Sequence, residues 1–334
     1  MTSGPSGGNL GQANGLERDK LLPETDTPLA AMTEEEIAAR SPIQKKDAFI
    51  IRFFKKLGSI FRGIPIIPAI ILPIFIFIGV FGSYLAPHDS TQIGIQYTLT
   101  PPFWQEGGST QFILGTDNLG RDILSRLMVG AGISLQVGFV VVFIAGGLGA
   151  IIALLSGYFG GWVDTVLMRI TDTMLSLPYL VIAIVMASVL HPSKYNIILI
   201  LTIIGWSRYA RVLRSEVLRI KEGDFVRLAK VNGAGSLRIM VRHIFPNIVN
   251  TLVILATLQL GAVIIVEATL SFLGVGVPPP FPAWGSMLAD GRNFMTQAWW
   301  ICVWPGIAIL LVVLSCNLLG DWLRIRLDPK FRQI

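Results

Sequence analysis

The sequence predicts an all-α integral membrane protein with six transmembrane helices. Hydrophobic residues make up 52% of the 334 residues and charged residues only 14%, whereas soluble domains carry about 25% charged residues. Several apolar runs are long enough for a helix to cross the hydrocarbon core of a bilayer. The net charge of +6 does not indicate a nucleic-acid partner, because the basic residues lie at the ends of the apolar runs, as membrane topology requires. The lipid bilayer is therefore the expected surroundings of this chain.

The N-terminal part of the chain precedes the first apolar run. Residues 1–45 are rich in Gly, Ser, Pro, Thr and Glu, a composition that predicts a disordered tail. Residues 46–63 form a basic juxtamembrane segment, and the membrane domain is expected over residues 64–334. The first apolar run begins too late for a secretory signal peptide.

Five apolar runs are predicted to span the membrane: residues 64–86, 133–156, 173–190, 247–271 and 299–320. A sixth candidate, residues 197–206, is too short by itself. It continues into a stretch with Arg208, Arg211 and Arg214, where a helix leaving the membrane could let its arginines reach the interface. Pro178 is expected to interrupt the third run.

The distribution of Lys and Arg decides whether the sixth span exists. With six spans and the N-terminus inside, 23 of the 27 basic residues lie on the cytoplasmic side and four lie outside. Without the sixth span, the numbers become 11 and 16. The positive-inside rule therefore favours six spans with both termini in the cytoplasm.

Two further regions contain charged residues that need a role. The external loop, residues 87–131, is expected to include an amphipathic piece around Leu114–Arg126. Glu267, near the outer end of the fifth span, either faces a translocation pathway or pairs with a backbone group or a neighbouring subunit, because buried acids in membranes are costly. Arg169 and Asp172 are three residues apart and predict a simple ion pair within one helix.

A basic segment, EGDFVRLAKVNGAGSLRIMVRHIFP at residues 222–246, separates the fourth and fifth spans. Its pattern predicts two short helices joined at Gly233 and Gly235, with Ser236 capping the second helix. Ala229 and Gly233 are expected to form a bare patch where another protein docks. An amphipathic helix lying flat on the inner leaflet is the alternative interpretation.

This segment resembles the cytoplasmic loop of ABC importer permeases in the spacing of Leu228-Ala229, Gly233 and Pro246. Arg227 and Leu228 depart from the acid and the first alanine of that family. Five further runs, in the same order, resemble the C-type subunit of the dipeptide/oligopeptide permeases. They are LGTDNLGRDILSR, YFGGWVDTVLMRITD, RHIFPN, EATLSFLGVGVPPPFPAWGSML and NLLGDWLRIRLDP.

The resemblance implies a type I importer permease with a MetI-like architecture in a prokaryotic plasma (inner) membrane. Its partners would be a homologous B-type permease subunit, two ABC ATPase subunits, and an extracytoplasmic substrate-binding protein that docks at the external loop. The loop at residues 208–246 would be the coupling element that receives the motion of the ATPase. The residues carried over to that role are Asp224, Phe225, Arg227, Leu228, Ala229, Asn232, Gly233, Gly235, Arg242, His243 and Pro246.

The same resemblance implies that the chain is a permease and not an enzyme. No Gly-Lys dipeptide occurs, so the phosphate-binding G-x-x-x-x-G-K-[ST] loop is absent. We expect no cofactor or metal on this chain, with ATP and Mg²⁺ used by the partner ATPases. Di- or oligopeptides are the expected cargo, and nickel or glutathione are alternatives. An ion-coupled secondary transporter and a channel subunit are less consistent with the sequence.

Overall fold

A computed structural model describes residues 65–327 of the chain. Within this range the protein is helical and contains no β-strand. The predicted tail at residues 1–45 and the juxtamembrane segment at residues 46–63 lie outside the described residues. The helices are α1 Ile66–Leu85, α2 Ile123–Phe159, α3 Gly161–Ser176, α4 Tyr179–Val189, α5 Lys194–Lys221, α6 Asp224–Val231, α7 Ser236–Phe272, α8 Trp284–Gly291 and α9 Trp300–Leu327.

Five of these helices, α1, α2, α5, α7 and α9, are long and apolar enough to cross a membrane. The number becomes six when α3 and α4 are counted together as one bent span. The prediction of six spans is therefore compatible with the structure. The side of the membrane on which each terminus lies stays a prediction.

The sequence made the span at residues 197–206 doubtful, but the structure breaks a different one. Helix α5 is continuous over 28 residues and includes residues 197–206. The run at residues 173–190, predicted as one span interrupted at Pro178, is divided between α3 and α4, which meet at 88°. Pro178 lies at the break, as expected, because its ring excludes a helical conformation from the residue before it.

The helices pack most closely where small residues occur. A Cβ atom added to Gly149 of α2 would lie 2.7 Å from the carbonyl oxygen of Trp206 on α5. One cluster of buried side chains joins α2, α4, α5, α7, α8 and α9, and a second joins α2, α5, α6 and the first turns of α7. The second cluster fixes the position of the candidate site.

Candidate functional site

The candidate site is the α6 segment, which we define as residues 222–246. Helix α6 follows Gly223, and its buried face consists of Val226 and Ala229. These two side chains join a cluster with Tyr209, Leu213, Val217 and Ile220 of α5 and Ile239, Ile244 and Ile248 of α7. Because Val226 and Ala229 are three residues apart, they lie on one face of the helix. That face holds α6 against the helix bundle.

The corner after α6 depends on Gly233. Its φ angle is +76°, a left-handed conformation that costs a residue with a side chain about 1–2 kcal/mol. The Gly233 N–H donates to the carbonyl of Lys230, and the Ala234 N–H donates to the carbonyl of Ala229. This pair of bonds is a Schellman motif, which satisfies carbonyls at the end of a helix. The predicted glycine corner is therefore present at Gly233.

The second half of the segment differs from the prediction of a separate short helix. Ser236 is the first residue of α7 and does not cap it, because Gly235 occupies the N-cap position with a φ angle of −66°. Residues Met240–Ile244 form a π-helical stretch within α7. The helix therefore continues from Ser236 to Phe272. A displacement of the segment would act directly on a helix long enough to span the membrane.

The exposed face of the segment is apolar. Leu228 is 63% exposed and Val231 is 84% exposed. The large apolar side chains that are exposed in the segment are Phe225, Leu228, Val231, Leu237, Val241 and Phe245. The last four were not predicted, because the docking surface was assigned to small residues. Ala229 is only 9% exposed and points into the bundle, so the surface offered to a partner consists of larger apolar side chains.

Charged side chains surround this apolar face and are exposed. Arg227 lies 3.4 Å from Glu222 and 3.8 Å from Asp224, both measured between nitrogen and oxygen atoms. The Lys230 ammonium lies 5.8 Å from the centre of the Tyr158 ring on α2. The remaining predicted site residues lie around the same surface: Asn232, Arg242 and Pro246 are exposed, and His243 is half-buried.

Helix α3 connects to α5 through two ion pairs. Arg211 pairs with Asp172, and Arg214 pairs with Asp164, which also accepts a hydrogen bond from Ser156. The expected pair of Arg169 with Asp172 is therefore wrong, because α5 brings Arg211 to Asp172. These contacts hold the bent α3–α4 element against the helix that leads into the α6 segment.

At the opposite end of the bundle, a charged network is buried. Asp117 accepts from Arg121 Nε at 2.6 Å, and Arg126 lies 3.5 Å from the same carboxylate oxygen. Asp290 on α8 accepts from Arg121 at 2.9 Å and from Arg126 at 3.1 Å. The amphipathic piece expected around Leu114–Arg126 is not a single element: the chain turns before Asp122, which caps α2, and α2 begins at Ile123.

Glu267 of α7 is completely buried. Its Oε1 atom accepts a hydrogen bond of 2.8 Å from Ser271. Its Oε2 atom has no hydrogen-bond partner among residues 65–327. The observed partner is a side chain of the same helix, not a backbone group, and the role of Glu267 in a translocation pathway stays a prediction.

Comparisons with known proteins agree with this architecture. Residues 145–333 match the model of the family described as "binding-protein-dependent transport system inner membrane component". The dipeptide transport system permease protein DppC of Haemophilus influenzae is 39% identical over 309 residues, covering 92% of this chain and all of that protein. DppC of Escherichia coli K12 is 42% identical over 306 residues, covering 91% of this chain and all of that protein.

A further relative is the di/tripeptide transport system permease protein DppC of Pseudomonas aeruginosa. It is 40% identical over 259 residues, which cover 78% of this chain and 86% of that protein. The chain therefore belongs to the family of binding-protein-dependent transport system inner membrane components. The predicted family and the predicted helical membrane fold are both confirmed.

Proposed function

We propose that this member of the permease family is a membrane subunit of an ATP-driven importer of di- and oligopeptides. The similarity to peptide permeases over most of the chain supports the choice of cargo. The exposed apolar face of the α6 segment carries the proposal of coupling. Apolar side chains on a soluble surface indicate a site that a partner covers.

In this proposal the α6 segment lies in the cytoplasm and docks onto an ATPase subunit. Val226 and Ala229 pack α6 against α5 and α7. A displacement of α6 by the ATPase therefore displaces α5 and α7 as well, because no flexible loop lies between them. The ATPase alternates between two arrangements, and the membrane helices follow it. A homologous permease, a second ATPase subunit and an external binding protein complete the transporter.

The coupling proposal is tested by Leu228→Asp in the chain expressed with its partner subunits. Placing a charge in the centre of the apolar face is expected to lower both ATPase co-purification and peptide uptake by about tenfold or more. Ile95→Asp is the matched control for ATPase co-purification alone, since Ile95 is 78% exposed in the loop before α2, where the external binding protein is expected to dock. Retained ATPase co-purification and uptake in Leu228→Asp would contradict the coupling role.

The orientation is tested by a cysteine at Asn232, which is exposed. Cys302 and Cys316 are buried, so they contribute little labelling of their own. A membrane-impermeant maleimide should label Asn232→Cys in inverted vesicles and leave it unlabelled in intact cells. Labelling of intact cells would overturn the cytoplasmic assignment.

A further inference from the structure

A cavity of about 350 Å³ opens between α3, α5 and α7. Its surface is almost entirely apolar and includes Leu175, Leu255 and Leu258, while Arg208 and Gln259 are among the residues that border it. Tyr209 also lines it, and Arg208, Tyr209 and Gln259 line an adjoining cavity of about 50 Å³. The larger volume falls within the range of about 300–1,000 Å³ that is typical of small-molecule sites.

Arg208 differs from the other arginines of this part of α5. Arg211 and Arg214 each pair with a carboxylate of α3. Within residues 65–327, Arg208 has no carboxylate at ion-pair distance, and its guanidinium carbon lies 5.6 Å from the centre of the Tyr179 ring. The side chain is exposed to the cavity side of the bundle. Its charge is therefore available to an anion.

Two further hydrogen-bond donors beside Arg208 are unused. Tyr209 is 2% exposed, and its hydroxyl has no hydrogen-bond partner among the described residues. The side-chain amide of Gln259 makes no hydrogen bond with any residue of the same range. A buried hydroxyl without a partner costs about 1–3 kcal/mol. A ligand that accepts a hydrogen bond would remove that cost.

Arg208 lies at the end of a long uncharged stretch of α5. Residues 195–207 carry no charge, and Arg208 is the first charged residue after them. An arginine at the end of an apolar span keeps its charged group at the interface, and here Arg208 borders the cavity. A guanidinium presents paired N–H donors that match the two oxygens of a carboxylate.

We propose that Arg208, with Tyr209 and Gln259, forms a transient binding site for the carboxylate of the transported peptide. This inference rests on the proposed function, because it names the group by which the permease holds its cargo. An acidic side chain of a homologous permease subunit is the competing occupant. The cavity favours a small ligand, since one side chain reaching Arg208 would leave most of the 350 Å³ beside it unfilled.

The test compares uptake of three peptides by cells that express the complete transporter. They are Ala-Phe with a free carboxylate, Ala-Phe amide, and Glu-Phe amide, which carries its carboxylate on a side chain. In Arg208→Gln we expect uptake of Ala-Phe to fall by about tenfold, the loss expected for a charge-assisted hydrogen bond. Uptake of Ala-Phe amide should change little. A parallel loss with Glu-Phe amide would show that side-chain carboxylates also use the site.

Two variants control for the loss of a charge. Arg208→Lys keeps the charge without the paired donors and should retain part of the preference for the free carboxylate. Arg324→Gln removes an exposed arginine of α9, far along the chain from the cavity, and should leave all three uptake rates unchanged. The external binding protein is the same in every strain, so its own preference cancels when strains are compared.

The outcomes separate this inference from the proposed function. Equal loss of Ala-Phe and Ala-Phe amide in Arg208→Gln, or an unchanged ratio between them, would overturn the carboxylate site. Failure of Arg208→Gln to co-purify with the homologous permease would also overturn it, since Arg208 would then be an assembly residue. Absence of peptide uptake in the unmodified transporter would contradict the proposed function itself and remove both.

Discussion

The loop before α2 and the α6 segment connect long helices at opposite ends of the bundle, and they use charge in opposite ways. In the loop before α2, Asp117 and Arg121 are buried and pair with each other and with α8. In the α6 segment, Arg227 and its acidic neighbours are exposed, and so are apolar side chains such as Val231. The charges of the first segment are paired inside the chain, whereas the charges of the second lie on its surface. Both segments expose apolar side chains, since Ile95 in the loop before α2 is 78% exposed.

This difference shows that the charged residues of a loop in a membrane protein need not form its exposed surface. Docking of a partner at the loop before α2 stays a prediction. The run LGTDNLGRDILSR resembles a family motif and suggested an external surface. Most of its polar side chains are instead buried, and three of them, Asp117, Arg121 and Arg126, form an ion-pair network with Asp290 of α8. This network holds that end of the bundle together.

The largest effect is expected from Asp117→Ala. Removing this carboxylate leaves Arg121 and Arg126 with a buried, partly uncompensated charge, which typically costs about 3–5 kcal/mol. We expect a clear fall in the thermal unfolding midpoint of the chain purified in detergent. Asp89→Ala is the control, since Asp89 is exposed and bonds only to Thr91, and it should cost less than about 1 kcal/mol. Equal losses would mean that the buried network does not stabilise the fold.

A smaller effect should distinguish the two faces of α6. Val226 is fully buried and Val231 is 84% exposed, so the same substitution to alanine probes both faces. Val226→Ala should destabilise the chain by about 2 kcal/mol through lost apolar burial. Val231→Ala should leave the unfolding midpoint unchanged and weaken co-purification of the ATPase. The reverse pattern would show that α6 is rotated relative to the structure described here.

The smallest effect concerns the corner of the α6 segment. Gly233→Ala should cost about 1 kcal/mol, because its φ angle of +76° is unfavourable for a residue with a Cβ atom. Gly235→Ala should be nearly neutral, since Gly235 has a φ angle of −66° and no atom lies within 4 Å of its added Cβ. Unfolding in detergent, with ATPase binding measured in parallel, tests both variants. A neutral Gly233→Ala would remove the requirement for a Schellman corner.

Much of the helix pattern follows from the sequence. Hydropathy located the spans, Pro178 located the break between α3 and α4, and Gly233 located the corner of the α6 segment. The start of α2 was placed about ten residues late, because Arg126 made its first turns look unsuitable for a buried helix. In the structure the charge of Arg126 is paired with Asp290, so the helix begins at Ile123.

The candidate site was predicted as a segment but not as a surface. The sequence indicated that Ala229 would face a partner, and the structure directs it inward with Val226. Arg208 looked like one of three interfacial arginines. The packing of α3 against α5 shows how it differs: Arg211 and Arg214 have acidic partners on α3, and Arg208 has none among the described residues.

The sequence by itself determined which stretches prefer lipid, where helices must break, and which family the chain resembles, because these depend on the chemistry of each residue and its near neighbours. The tertiary structure alone decided which face of α6 is buried, which arginines are neutralised, and that the charges of the loop before α2 lie inside. Those properties depend on how each helix is rotated about its own axis when it packs against helices distant in sequence. Neither hydropathy nor the local spacing of residues determines that rotation.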